Sequence, residues 1–256
     1  MSALAKFLER NSAKLGKPLP LVHTTRAYFL KQILDRKKID VIPCDVFNEP
    51  LAYFFVGRPA YKWETAGEAA EWELPVCFVF EYDVADAKRI FPFDTGAFKS
   101  KYPPYISMMD LDEFELSAVS HGPERLIGTF FASRLDYYLM RLRPAHRFND
   151  EFLVDLLDSE VKAVHKLWSS SASSADDRRC AIEVQFQDAI TLDKGKLLAV
   201  ILPDIYLEHP TMRGFLRRSG AKAYGYSVYT LNSAAFFSQI YDYVKLFYEK
   251  RGLLNV

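Results

Sequence analysis

The feature that most restricts this chain is a pair of short apolar runs, residues 75–84 (PVCFVFEYDV) and 197–203 (LLAVILP), rich in residues that favour β-structure. Both predict strands buried on two sides. They sit among other periodic segments that do not alternate as regular βαβ units. Strands are expected at 19–25, 51–56 and 179–186, and helices at 2–15, 26–36, 132–142, 151–168 and 233–250. Residues 90–105, with four prolines or glycines, read as a long surface loop, 121–123 (His-Gly-Pro) as a turn, and the small polar stretch 169–177 as a mobile loop. Mixed elements without βαβ regularity predict an α+β fold. At 256 residues, half of them hydrophobic, the chain has enough material for one compact domain spanning 1–256.

Composition narrows the function. No apolar run approaches the roughly 18 residues a membrane-spanning helix needs, and the first residues lack the apolar centre of a secretory signal, so a cytoplasmic protein with no membrane partner is expected. Cys44, Cys77 and Cys180 stand far apart, which predicts reduced thiols and no metal site. Lys+Arg and Asp+Glu balance at 33 each, so any nucleic-acid contact must come from a local patch. One such patch has Arg134, Tyr138 and Arg141 at i, i+4 and i+7 of an expected helix, followed by Arg143, His146 and Arg147. The same spacing also suits a solvated helix face balanced by Asp136.

The common nucleotide-binding, hydrolase and zinc-protease motifs are missing from the sequence. Three separated motifs remain. Val22, His23, Thr24 and Thr25 close an expected strand. Tyr53, Phe54, Phe55 and Val56 lead into Gly57, Arg58, Pro59, Ala60 and Tyr61. Asp176 to Gln185 form a polar loop that enters a strand as Arg178, Arg179, Cys180, Ala181, Ile182 and Glu183. Alternation along that strand places Ile182 and Val184 on one face and Glu183 and Gln185 on the other.

In this order the motifs resemble the ADP-ribosyltransferase superfamily, and most of all the DarT-type toxins that ADP-ribosylate DNA. The shared pattern is a His-Thr opening, an aromatic strand ending in an Arg-Pro turn, and an Ala-x-Glu strand after a recognition loop. The match covers about a tenth of the chain. Gln185 stands where the family has an acidic or apolar residue. The resemblance implies a split antiparallel β core with flanking helices and an NAD⁺ cleft between its halves. It implies an enzyme that uses NAD⁺ as substrate and moves ADP-ribose to a macromolecule, a nucleic acid in preference to a protein. Such an enzyme would act as a toxin or defence effector, with an antitoxin protein as a candidate partner. Glu183 and Arg58 would be catalytic. His23, Thr24, Tyr53, Tyr61 and Arg58 would hold NAD⁺, with Arg58 on the diphosphate or nicotinamide ribose and the two tyrosines on nicotinamide. Arg134, Tyr138, Arg141, Arg178 and Arg179 would meet nucleic acid. An NAD⁺ glycohydrolase and a non-catalytic nucleic-acid- or protein-binding module are the alternatives.

Overall fold

The computed structural model describes residues 1–11, 17–61, 70–170, 178–228 and 233–254. Its strands are β1 (Leu21–Arg26), β2 (Lys38–Ile39), β3 (Ile42–Cys44), β4 (Glu49–Val56), β5 (Pro75–Phe80), β6 (Arg89–Phe91), β7 (Glu183–Phe186), β8 (Ile190–Thr191), β9 (Leu197–Pro203) and β10 (Lys222–Tyr226). Among the described residues, eight of them form one sheet in the order β10-β9-β5-β1-β4-β7-β6, with β3 also on β4, and β2 pairs separately with β8. Helices flank this sheet, so the fold is mixed α and β as the element pattern predicts. The expectation of a wholly antiparallel core needs one correction. β10 runs parallel to β9, because the helices Asp204–Leu207 and Pro210–Ser219 between them carry the chain back before it re-enters the sheet.

The two apolar runs lie side by side. All six residues of β5 are buried, and β5 sits between β1 and β9, which accounts for a run with no polar alternation. Its neighbour β1 has a divided role. It pairs with β5 along its whole length, from Leu21–Phe80 to Arg26–Pro75, but with β4 only at Leu21–Val56 and Val22–Phe55. Beyond Val22 the sheet therefore forks, with β10-β9-β5-β1 on one side and β3, β4, β7 and β6 on the other. Gly57 closes the fork. It follows β4 at φ +69°, its N–H donates to the Pro20 carbonyl at 2.8 Å, and a Cβ there would stand 2.6 Å from Leu19 Cδ1. Both the backbone conformation and the space require glycine.

Several expected boundaries shift. Residues 90–105 are not a surface loop. They contain β6, the 3₁₀ turn Thr95–Ala97 and the short helices Phe98–Lys101 and Pro104–Ser107; Phe91 is buried against Phe47, and Phe93 and Phe98 are buried in an aromatic cluster with Phe114. The aromatic content outweighs the turn-forming prolines. The His-Gly-Pro segment does not end as a turn but starts the helix Gly122–Phe130, with Pro123 in its first turn. The expected helix over 132–142 stops after Arg134–Tyr138, and Met140 takes a left-handed backbone. The expected helix over 151–168 is Ser159–Ser169, preceded by a separate helix Ala145–Glu151. The helix expected over 2–15 spans Ala3–Arg10 and buries Leu4, Phe7 and Leu8, with residues 12–16 outside the described set. The helix Ser233–Lys250 forms as expected and buries Phe236, Phe237, Ile240, Val244, Phe247 and Tyr248 along one stripe. No helix among the described residues is long and apolar enough to cross a membrane.

Candidate functional site

Val22, Phe55, Glu183 and Phe91 form one continuous row across β1, β4, β7 and β6, and it is the last row the two halves of the sheet share before they fork. Residues directly opposite in antiparallel pairs point to the same face, so Glu183 and Gln185 share a face with Tyr53 and Phe55. Glu183 is 1% exposed. Its carboxylate accepts the Thr95 hydroxyl at 2.8 Å, the Thr95 backbone N–H at 3.2 Å and the Gln185 amide at 2.6 Å. Gln185 Nε2 also lies 3.1 Å from Thr95 Oγ1, while Gln185 Oε1 is buried with no donor among the described residues.

A second carboxylate stands beside the first. Asp94 caps the 3₁₀ turn through the Ala97 N–H at 3.1 Å and pairs with Arg178 at 3.0 Å. The Tyr102 hydroxyl donates to the Asp94 carbonyl at 3.0 Å. Burial, and next the nearby Asp94 charge, push the Glu183 carboxyl up to about 8, against the pull of the Gln185 and Thr95 hydrogen bonds. Burial chiefly raises the Tyr53 and Tyr102 hydroxyls too, and both feel the Asp94 and Glu183 charges, which places them around the same cluster. Two carboxylates thus lie together in a buried cluster, Asp94 paired with Arg178 and Glu183 held by Thr95 and Gln185. Desolvation beside the Asp94 charge favours a proton on Glu183, or a cationic group brought in from outside.

This has a stability consequence. Because folding raises the Glu183 carboxyl from about 4.5 to about 8, its favourable contribution is fully present below pH 4.5 and fades as pH rises through 8. Wild type is expected to lose thermal stability between about pH 4.5 and 8 relative to Glu183→Gln, whose side chain does not titrate. Parallel melting curves across that range would refute the buried-carboxylate reading.

The other expected site residues divide. Thr24 lies on the Glu183 face by register, and its hydroxyl donates to the Ala60 carbonyl. His23 does not join the cluster. Its register places it on the opposite face, where its ring packs 5.3 Å from Phe54 and 6.5 Å from Phe78. Its Nδ1 meets the Tyr53 carbonyl at 2.9 Å across the fork, and burial lowers its pKa, so it is a neutral strut between the halves. Arg58 is 5% exposed and turned inward. Its guanidinium donates to the carbonyls of Tyr137, at 3.2 Å, and Tyr138, and stands 5.3 Å from the Tyr241 ring. Tyr61 packs against Phe237 with ring centroids 4.4 Å apart.

The basic patch is not continuous. Tyr138 is buried, with its hydroxyl donating to the Tyr241 carbonyl at 2.6 Å, so it offers no stacking surface between Arg134 and the exposed Arg141. Arg134 reaches the Lys17 carbonyl at 3.3 Å. Arg178 is committed to Asp94, and Arg179 donates to the Ser170 carbonyl at 2.7 Å. Residues 171–177, most of the loop expected to meet an acceptor, lie outside the described residues.

Asp94 and Thr95 were not legible as site residues, since the Pro- and Gly-rich composition around them suggested exposure. The Asp-Thr-Gly sequence after Phe93 carried a usable signal, because a capping Asp behind buried aromatics orders a turn. No protein-family model matches the chain, and no curated protein matches it.

Proposed function

We propose that the chain is an NAD⁺-consuming ADP-ribosyltransferase with Glu183 as its catalytic carboxylate, using a nucleic acid as acceptor. The observation that carries the reading is the electrostatic state of the buried cluster. Glu183, desolvated and 1% exposed, lies beside the Asp94 charge at the point where the sheet forks. Breaking the bond between nicotinamide and ribose starts from a cationic pyridinium and passes through an oxocarbenium-like centre. A bound pyridinium cation would draw the proton off Glu183, and the desolvated carboxylate left beside it favours both. The Gln185 carbonyl oxygen, without a donor of its own, suits the carboxamide of nicotinamide.

Two assignments change within the proposal. Arg58 braces the turn after β4 against Tyr137, Tyr138 and Tyr241 instead of meeting a diphosphate, and His23 holds the two sides of the fork together. Split-core topology of the ADP-ribosyltransferase kind is supported by the fork between β1 and β4.

The test is incubation with NAD⁺ labelled on its adenylate, with DNA, RNA and protein fractions assayed for label and nicotinamide measured in parallel. Label in a nucleic-acid fraction is expected. Nicotinamide release that needs no macromolecule would make the chain a glycohydrolase, and no release under any condition would leave a binding module.

A further inference from the structure

The helices Ala145–Glu151 and Ser159–Ser169 pack against each other, with Phe148 and His165 rings 4.8 Å apart, and the segment between them has an unusual surface. Leu153, Leu156 and Leu157 are 79%, 85% and 85% exposed, three large apolar side chains within five residues. Isolated exposed leucines are ordinary, but a cluster of this kind marks an interaction surface. The segment is also firmly built. Asp155 accepts the Leu157 N–H at 2.6 Å, Asp158 accepts the Asp155 N–H at 3.0 Å and pairs with Arg10 at 2.5 Å, and Val154 N–H reaches the Asn149 carbonyl at 3.0 Å. Leu153 is held at φ +49°, a left-handed conformation that leucine avoids unless its surroundings impose it. Three leucines are thus displayed on a braced loop.

The same pair of helices carries a complementary feature. A groove of about 460 Å³ runs between them, with Leu142, Pro144, Ala145 and Phe148 in its wall and Lys162 and Lys166 among its polar residues. Arg143 also lines it but is offset by Glu151 at 2.9 Å, and Lys162 has no acidic partner among the described residues. The loop is apolar and acidic, bearing the exposed Asp155 among its leucines. The groove is apolar and basic. The acidic residues argue against a docking site for anionic lipid.

We propose that the chain forms a two-fold dimer in which the 152–158 loop of each copy seats in the groove between helices Ala145–Glu151 and Ser159–Ser169 of the other. Loop and groove belong to one helical hairpin, so a two-fold pairing of hairpins is self-complementary, each copy offering an apolar, acidic loop and an apolar, basic groove. Asp155 then faces Lys162 across the interface, and the leucines leave water.

Sedimentation of the purified full chain from 1 to 200 μM tests this, and the expected result is a monomer–dimer equilibrium within that range. Leu156→Asp with Leu157→Asp should leave only monomer. Lys162→Glu, on the other wall of the contact, should weaken dimerisation at least about tenfold. All three positions are on the surface, and an unchanged melting temperature would show that the variants remain folded. A wild-type chain that stays monomeric at 200 μM overturns the proposal, as does a dimer whose dissociation constant moves with neither variant.

Discussion

Glu183→Gln is expected to reduce nicotinamide release by about 10²–10³, the usual cost of losing one well-placed electrostatic contact in a transition state. The substitution keeps the length of the side chain and a carbonyl oxygen for Thr95 and Gln185, while removing the charge that an oxocarbenium-like centre requires. Since the wild-type carboxyl is already drawn toward its neutral form by burial, the amide should fold at least as well near neutral pH. A fall in turnover with an unchanged or raised melting temperature and unchanged NAD⁺ affinity is therefore the diagnostic combination. Release within a few-fold of wild type would remove Glu183 from the chemistry. Steady-state release of nicotinamide, measured beside a thermal melt, gives both numbers.

Arg58→Ala is expected to act on the fold itself. The guanidinium is buried and donates to the carbonyls of Tyr137 and Tyr138, with Tyr241 against it, so its removal strands two carbonyl acceptors and leaves a gap beside Gly57. A loss of about 3 kcal/mol follows from removing charge-assisted hydrogen bonds of this kind. For a chain of this size that lowers the melting temperature by about 6–12 °C. Arg58→Lys should recover part of the loss, because an ammonium can serve one carbonyl but not the fork geometry. A melting temperature within a degree of wild type would show that Arg58 is not a brace, and would return it to the ligand-binding role its motif suggests.

How far the fold could be read from the chain varied by element. β5 and β9 were plain because a strand covered on both faces needs no polar residue, and their composition says so directly. The helix Ser233–Lys250 was plain because its apolar stripe repeats over 18 residues. Glu183 and Gln185 sharing a face was also legible, since the two-residue period of a strand decides it. What surrounds that face was not. Thr95 and Asp94 come from 88 and 89 positions earlier in the chain, and no local pattern announces that a Pro- and Gly-containing segment will fold inward onto a carboxylate. His23 was misplaced for a related reason. Its strand was evident, but which face it takes and which rings it meets depend on registers with β4 and β5 that are fixed only when the sheet assembles.

The helix Ser233–Lys250 also bears on how the molecule is made. It is the last long element of this sequence, yet Phe237 covers Tyr61, Tyr241 meets Arg58 and receives the Tyr138 hydroxyl, and Tyr248 packs on Tyr138. On the ribosome, the segments carrying Tyr61 and Tyr138 emerge long before their cover does, so a nascent chain that still lacks this helix bears an open aromatic face. A premature stop or a proteolytic cut ahead of the helix would produce a sticky fragment, not a smaller working protein. Closure of the turn around Arg58 therefore waits for the synthesis of this helix.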